Sequence, residues 1–333
     1  MLDTASTSSS AAPEHATGDP RVSILVVSYN TRELTLACLA SVFAQTTHTP
    51  FELIVIDNAS TDNSADAIEQ TFGDRIHLIR SEKNLGFAGA NNLAATHATG
   101  DLLLLLNPDT VVLDHAIDSL VEFSQSHADA LLWGGRTVFA DHTLNPGSCW
   151  EKITLWSQIC QATGLSLLGK NSSIFNPEGL GGWERNTIRQ VDIVSGCFLL
   201  ITRTLWKSLE GFDPAFFMYG EDADLCLRAR KKGATPLICP DATIIHHGGK
   251  SEKVRADKVV RLYRAKVQLM RRHMHRLIAP LAILLQLTNV MRRWVLWKIL
   301  SLLGKPGASD TCAVFAQVWK RKNEWIHHNR NQQ

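Results

Sequence analysis

A succession of short apolar runs, each ending in a polar turn and followed by a helical pattern, sets the tightest limit on how this chain folds. Residues 22–27, Val-Ser-Ile-Leu-Val-Val, are almost uninterrupted apolar sequence with β-branched members, as expected of a strand buried on both faces. Ser28-Tyr29-Asn30-Thr31 breaks the run with cap-forming residues, and a helical pattern continues to about Phe43. A second run, Leu53 to Ile56, passes into Asp57-Asn58-Ala59-Ser60-Thr61-Asp62 and another helix to about Thr71. Ile76 to Ile79 and Leu102 to Leu106 add two more strands, with a helix near 87–98 between them. Strands alternating with helices predict an α/β fold with a parallel sheet covered on both faces. Ligands bind such sheets beyond the carboxyl ends of the strands. The polar segments after residues 27, 56 and 106 are therefore expected to converge on one cleft.

Beyond these units the pattern loosens. Residues 141–190 look irregular, with Gly181-Gly182-Trp183 and several Asn and Pro residues, and read as a loop region bordering the cleft. Residues 191–201 return to an apolar strand, and Asp222 to Lys232 reads as a short helix. No repeat of fixed period is present. Of the 333 residues, 45% are hydrophobic and 20% charged, which supplies one sizeable core plus an appendage and excludes a fibrous or fully disordered chain. Residues 1–20 are rich in Ser, Thr and Ala without an apolar run, and are expected to be a disordered tail rather than a secretion signal. The seven cysteines are dispersed, with no Cys-x-x-Cys pair, so free thiols in a reducing compartment are expected in place of disulfides or a zinc site.

Charge is distributed very unevenly. Residues 1–249 hold 16 Lys and Arg against 28 Asp and Glu, whereas residues 250–333 hold 18 against 4. The basic end is expected to meet something anionic, either a lipid surface or a nucleic acid; the alternative is that it folds back on the acidic body. Residues 277–291 carry no charge, yet fall short of the ~20 residues needed to span a bilayer. They suit a helix lying in an anionic membrane interface, with Trp294 and Trp297 at headgroup level. Packing on the core or in a homodimer is the competing reading. No nucleic-acid recognition motif accompanies the basic region, so nucleic acid is set aside as a partner. The chain thus divides into a tail (1–20), a nucleotide-binding domain (21–250) and a basic helical region (251–333).

Several loop residues can carry chemistry. Asp57 directly follows a strand, where a carboxylate can accept hydrogen bonds from a base or ribose; the alternative is an Asx turn. Asn84 to Asn92 is a small-residue turn opening a helix, which permits close backbone approach to a ligand and favours anions. Leu102 to Leu106 leads into Asn107-Pro108-Asp109, a polar pair on a rigid support suited to a divalent cation such as Mg²⁺ or Mn²⁺. Glu221-Asp222-Ala223-Asp224 follows the aromatic segment Phe216-Phe217-Met218-Tyr219. Carboxylates beside aromatic residues can have raised proton affinity, which suits a general base. For Asp224 an acidic helix N-terminus is the preferred reading.

The ordered set of segments resembles family-2 glycosyltransferases, especially the rhamnosyltransferase-like branch that builds bacterial surface polysaccharides. The residues carrying the resemblance are Ser28-Tyr29-Asn30, Ile56 to Asp62, Asn84 to Asn92, Leu106 to Asp109, Gly211-Phe212-Asp213, Tyr219 to Leu225, and Pro240 through His246 to Ser251. The resemblance implies a GT-A fold. It implies that Asp57 holds the nucleotide base, flanked by Ser28, Tyr29 and Asn30, and that Asn84, Gly86, Asn91 and Asn107 line the nucleotide-sugar cleft. Asp109 would bind Mg²⁺ or Mn²⁺ at the diphosphate, with His246 as a second ligand or a hydrogen-bonded structural histidine. Asp222 would be the catalytic base of an inverting transfer. The implied donor is a nucleotide sugar, with dTDP-L-rhamnose favoured, and the implied acceptor a lipid-linked or oligosaccharide hydroxyl. The expected location is cytoplasmic, peripheral to the inner face of the cell membrane. Asn107-Pro108-Asp109 stands where many relatives carry Asp-x-Asp, so one carboxylate is replaced by a neutral amide. Two rival readings are a sugar-1-phosphate nucleotidyltransferase, disfavoured because no Gly-rich loop follows the first strand, and a catalytically silent nucleotide-sugar sensor or membrane scaffold.

Overall fold

The structure is a computed structural model that describes residue 19 and residues 21–248 and 256–327. The expected tail over 1–20 lies almost wholly outside these residues, as does the end of the His246 segment, residues 249–251.

Four strands, β1 (Val22–Ser28), β2 (Phe51–Asp57), β3 (His77–Arg80) and β4 (Leu102–Leu106), run parallel in the order β3-β2-β1-β4. Between and after them lie the helices α1 (Arg32–Gln45), α2 (Ser64–Phe72), α3 (Gly86–Thr96) and α4 (Ala116–Ser126). Every residue of β1 and β4 is buried, and alternate residues feed two cores. Ile24 and Val26 pack with α1, α2 and α4 through residues such as Leu39, Ile68 and Leu120. Leu25 and Val27 pack on the other face with Ala90 and Ala94 of α3.

The parallel sheet continues as a mixed one. The remaining strands are β5 (Thr110–Val112), β6 (Leu132–Val138), β7 (Cys149–Trp150), β8 (Arg189–Gln190), β9 (Ile193–Val194), β10 (Phe198–Thr202) and β11 (Leu237–His246). β10 lies antiparallel between β4 and β6, and β11 pairs parallel with β6 and antiparallel with β5. The expected parallel strands are present, and antiparallel partners join them beyond β4: a run buried on both faces reads the same in either direction. The apolar stretch 191–201 is likewise two strands. Ile193 and Val194 pair with β7 in a separate ribbon, a turn at Ser195-Gly196-Cys197 follows, and β10 then enters the main sheet.

Residues 141–190 are not all loop. They contain α5 (Leu155–Thr163), closed at its start by a capping box between Thr154 and Ser157, and the short α6 (Leu165–Leu168). Two further helices are α7 (Arg203–Ser208), which follows β10, and α8 (Glu221–Lys231).

The C-terminal region folds as α9 (Ala256–His273), α10 (Ala279–Leu302), α11 (Ala308–Lys320) and α12 (Lys322–Ile326), with a core of its own that takes in Ile153 and Leu155. α10 packs on α5, and α9 crosses α8 so closely that a Cβ on Gly220 would lie 3.0 Å from the Ala265 methyl. Trp294 and Trp297 are half-buried and pack against this helical core. Among the described residues no helix is long and apolar enough to cross a membrane.

Candidate active site

The loops that leave β1 and β2 are stitched together by side chains. Asn30 adopts a left-handed conformation (φ 52°) that brings its amide N–H to Ser60 Oγ at 3.0 Å and its Oδ1 to the Thr61 N–H at 2.7 Å. Tyr29 stands exposed on the rim. Ser28 is fully buried, with its hydroxyl 2.9 Å from that of Thr35, so it braces the loop from beneath. Asp57 is 4% exposed; its Oδ2 accepts the Ser60 N–H at 3.2 Å, while Oδ1 is buried without a partner. The Asx-turn alternative is therefore realised by one oxygen. The other is a buried acceptor awaiting a donor, an arrangement costly to leave unmet.

Asn58, to which sequence reasoning gave no role, ties three loops. Its N–H donates to the Ser28 carbonyl at 2.8 Å, its Oδ1 accepts the Leu85 N–H at 2.8 Å, and its Nδ2 donates to Asn84 Oδ1 at 3.0 Å. Its position directly after a strand-ending aspartate was the only sequence signal. Asn84 Oδ1 also accepts the Gly86 N–H at 2.8 Å, which fixes the turn into α3. Asn91 does not open on the cleft: it is 1% exposed and spends its amide on the Phe87 carbonyl at 2.9 Å.

Gly86 has φ +70°, and a Cβ there would fall 2.3 Å from the Phe217 carbonyl oxygen. The Phe87 N–H donates to that same carbonyl at 3.0 Å, so the Phe217 segment is held against the turn. Gly86→Ala is expected to lose about 1–3 kcal/mol of stability, read as a lowered midpoint of thermal or denaturant unfolding.

At the end of β4, Asp109 Oδ1 lies 3.3 Å and Asn107 Nδ2 3.4 Å from His246 Nε2. Burial alone would raise the Asp109 pKa, but the hydrogen bond and charge of His246 outweigh it and hold the carboxyl below its ordinary range. Burial likewise works against a charged His246, and Cys197 and Asp109 together outweigh it, lifting the imidazole to about 10. Asn107 Oδ1 and His246 Nδ1 are buried without partners. Among the described residues no group of three His, Cys, Asp or Glu side chains could hold a metal ion. Asp109, His246 and the Asn107 amide oxygen are thus a partial donor set. It suits a hard cation that takes its remaining oxygens from water and phosphate.

Asp222 stands in the first turn of α8, with Oδ2 accepting the Gly196 N–H at 3.1 Å and Oδ1 the Ala223 N–H at 2.8 Å. Burial pushes its pKa up despite these bonds. The neighbouring Glu221 is 6% exposed, with Oε2 unpartnered, and burial together with the Asp222 charge raises its pKa too. Gly196 leaves room for Phe87: a Cβ there would lie 3.1 Å from the Phe87 ring, and at an ordinary contact distance of 3.6 Å from Asp222 Cβ. Asp224 points away from this edge into a buried cluster with Arg228, Arg272 and His273.

The strand ends therefore gather as the sheet logic requires. The Asn107 N–H donates to the Cys197 carbonyl at 3.1 Å, one residue from the Gly196 that binds Asp222, so the metal-type cluster and Asp222 flank the same β4–β10 junction. Asp57 joins through Asn58 and the Asn84–Gly86 turn, whose next residue, Phe87, packs beside Gly196. A cavity of about 390 Å³ lies at the opposite edge of the sheet, lined by Arg21, Asp101, Leu102, Thr202 and Arg203, and has no part in this arrangement.

Residues 23–182 match the family model for glycosyl transferase family 2. The chain is 28% identical over 247 residues to the O-antigen biosynthesis protein RfbC of Myxococcus xanthus, which covers 72% of this chain but 18% of that protein. It is 26% identical over 218 residues to the N-acetylglucosaminyl-diphospho-decaprenol L-rhamnosyltransferase of Mycobacterium tuberculosis, covering 60% of this chain and 68% of that one. Among solved structures, the mannosyltransferase PcManGT of Pyrobaculum calidifontis, in complex with GDP-Man and Mn²⁺, superposes with a TM-score of 0.58 at 17% identity over 96% of this chain and 91% of that one. The sheet, the ordered loop residues and these likenesses agree: residues 23–182 are similar to glycosyl transferase family 2, and the chain has a GT-A-like fold.

Proposed function

We propose that this protein transfers a sugar from a nucleoside diphosphate donor to an acceptor hydroxyl with inversion, in the building of a cell-surface polysaccharide. The observation that carries this reading is the β4–β10 junction, where the adjacent residues Cys197 and Gly196 are the backbone partners of Asn107 and Asp222. Asp222 would accept the proton of the acceptor hydroxyl as that oxygen attacks the anomeric carbon opposite the leaving diphosphate. Its raised proton affinity suits that task. The free oxygen of Asp57 would accept an N–H from the base, and Asn30 and Asn58 would hold the two loops that enclose it. Asp109, His246 and Asn107 would hold Mg²⁺ or Mn²⁺, which when bound neutralises charge on the departing diphosphate. The Mn²⁺ of the mannosyltransferase complex supports a divalent ion here.

The proposed donor is dTDP-L-rhamnose; the mycobacterial relative, by name an L-rhamnosyltransferase of N-acetylglucosaminyl-diphospho-decaprenol, supports L-rhamnose as the sugar and a lipid-linked saccharide as acceptor. Incubating the purified chain with dTDP-rhamnose, UDP-glucose, UDP-N-acetylglucosamine and GDP-mannose, with Mg²⁺ or Mn²⁺, tests this. Release of nucleotide from dTDP-rhamnose above all others is the expected result, and no release from any donor would sink the enzymatic reading. Asp109→Ala is expected to weaken Mn²⁺-dependent nucleotide binding by about 10-fold or more, measured calorimetrically with and without the ion, while metal-free nucleotide binding changes little.

A further inference from the structure

We propose that α10 and the α5–α6 segment together form a surface that seats the protein on an anionic lipid bilayer, independently of what the cleft does. The face that α10 turns inward mixes small, polar and apolar residues: Ala279, Ala282, Ile283, Gln286, Asn289 and Val290 are buried. The opposite face carries Leu281, Leu284, Met291, Val295, Ile299 and Leu302, all exposed, at spacings of three, four and seven that place them on one stripe. Two branched apolar residues are buried, against six large ones bared on the outer stripe, more than a water-facing helix surface normally carries.

A second set of exposed apolar side chains comes from a distant part of the sequence. Leu167 and Leu168 of α6 are 62% and 88% exposed, and Ile174 and Trp156 are exposed nearby, joined by the bond from Trp156 Nε1 to the Ile174 carbonyl at 2.7 Å. The two sets adjoin at Arg292, which donates to the Gln161 carbonyl at 3.0 Å and lies against Gly164, the residue that starts α6. Contiguous exposed apolar area of this kind marks an interaction surface.

Charge identifies the occupant. Residues 155–176 and 277–305 contain no Asp or Glu, while Lys170, Arg292, Arg293, Lys298 and Lys305 fall within them. An apolar ridge whose own segments carry cations and no acidic residue complements a bilayer whose headgroups are anionic. A second copy of the chain would bring the same cations against themselves.

Flotation of the full chain with phosphatidylcholine vesicles, with and without phosphatidylglycerol, tests the assignment. The protein is expected to float with the phosphatidylglycerol vesicles and to lose most of that binding at high salt. Leu284→Glu with Val295→Glu, and separately Leu167→Glu with Leu168→Glu, are each expected to weaken partitioning about 10-fold or more. The milder Leu167→Ala with Leu168→Ala guards against misfolding and should weaken it in the same direction. Ile188→Glu, an exposed apolar position outside both segments, should leave binding unchanged. Absence of flotation by the unaltered chain overturns the proposal, as does flotation unaffected by either pair. So does sedimentation equilibrium showing a dimer that these substitutions dissociate while vesicles are ignored.

Discussion

Asp222→Asn is expected to lower kcat by about 10²–10⁴-fold, the range of general-base assistance, with nucleotide affinity essentially unchanged. The two carboxylate oxygens accept the N–H groups of Gly196 and Ala223. Asparagine retains one acceptor and presents an NH₂ to the other donor, so about 1 kcal/mol of local hydrogen bonding is lost. That is too little to unfold the domain or displace the nucleotide loops, which hang on Asn30, Asn58 and Asn84 instead. The lost activity therefore reports the proton acceptor. In the unaltered enzyme the base must be ionised, and burial lifts its pKa. The acid limb of kcat/KM should accordingly lie above the ordinary carboxylate range. Single-turnover kinetics with a saturating donor, alongside calorimetric nucleotide binding, separates the two effects. Turnover near that of the unaltered enzyme in the asparagine variant would remove Asp222 from its role.

Much of the cleft is legible in sequence because burial leaves an unambiguous mark. Five consecutive leucines at 102–106 can only be a segment covered on both faces, and the polar residues after it must then sit at the sheet edge. Direction is not written in such runs, which is why β10 is indistinguishable from a parallel strand until its neighbours are known. Nor does a residue's chemistry say whether it lines a cleft or supports it. Ser28 and Asn91 are turned inward, while Asn58, hidden in the same loop as Asp57, holds the walls together. The C-terminal helices mislead for a different reason. In α10 the buried positions include Ala, Gln and Asn beside Ile283 and Val290, so hydropathy does not single out the packed face, and Trp294 and Trp297 are half-buried against the helical core while leucines take the outside.

The asymmetry of charge along the sequence also resolves into two different structures. Part of the basic region does fold back on the acidic body, where Lys266 meets Glu178 at 2.5 Å and Arg272 meets Asp213 at 2.5 Å. The cations of α10 and its surroundings face no acidic residue of their own segment. One stretch of sequence thus serves both to anchor α8 and to leave a cationic apolar surface unpaired.

Asp224→Ala is expected to destabilise the fold by about 3–5 kcal/mol, the cost of removing one member of a buried ion cluster. Asp224 is 1% exposed and receives Arg228 Nε at 2.6 Å, His273 Nε2 at 2.8 Å and an Arg272 guanidinium nitrogen at 3.2 Å. Arg228 also donates to the carbonyls of Leu209 and Gly211, and Arg272 reaches Asp213. The carboxylate is therefore the point where α8, α9 and the segment before the aromatic turn converge, two residues beyond Asp222. By contrast Arg321→Ala, which removes ion pairs with the exposed Asp257 and Glu324, should cost less than about 1 kcal/mol. Burial would raise the pKa of Asp224, but His273, Arg228 and Arg272 outweigh it and hold the group below its ordinary value. A depressed carboxylate contributes stability that is fully present above the unfolded pKa of about 3.9 and is lost as pH falls through the folded value. The difference in denaturant midpoint between the unaltered chain and Asp224→Ala should therefore be constant at neutral pH and shrink in strong acid. A difference that persists unchanged into acid would mean that packing, not charge, fastens α9 to α8.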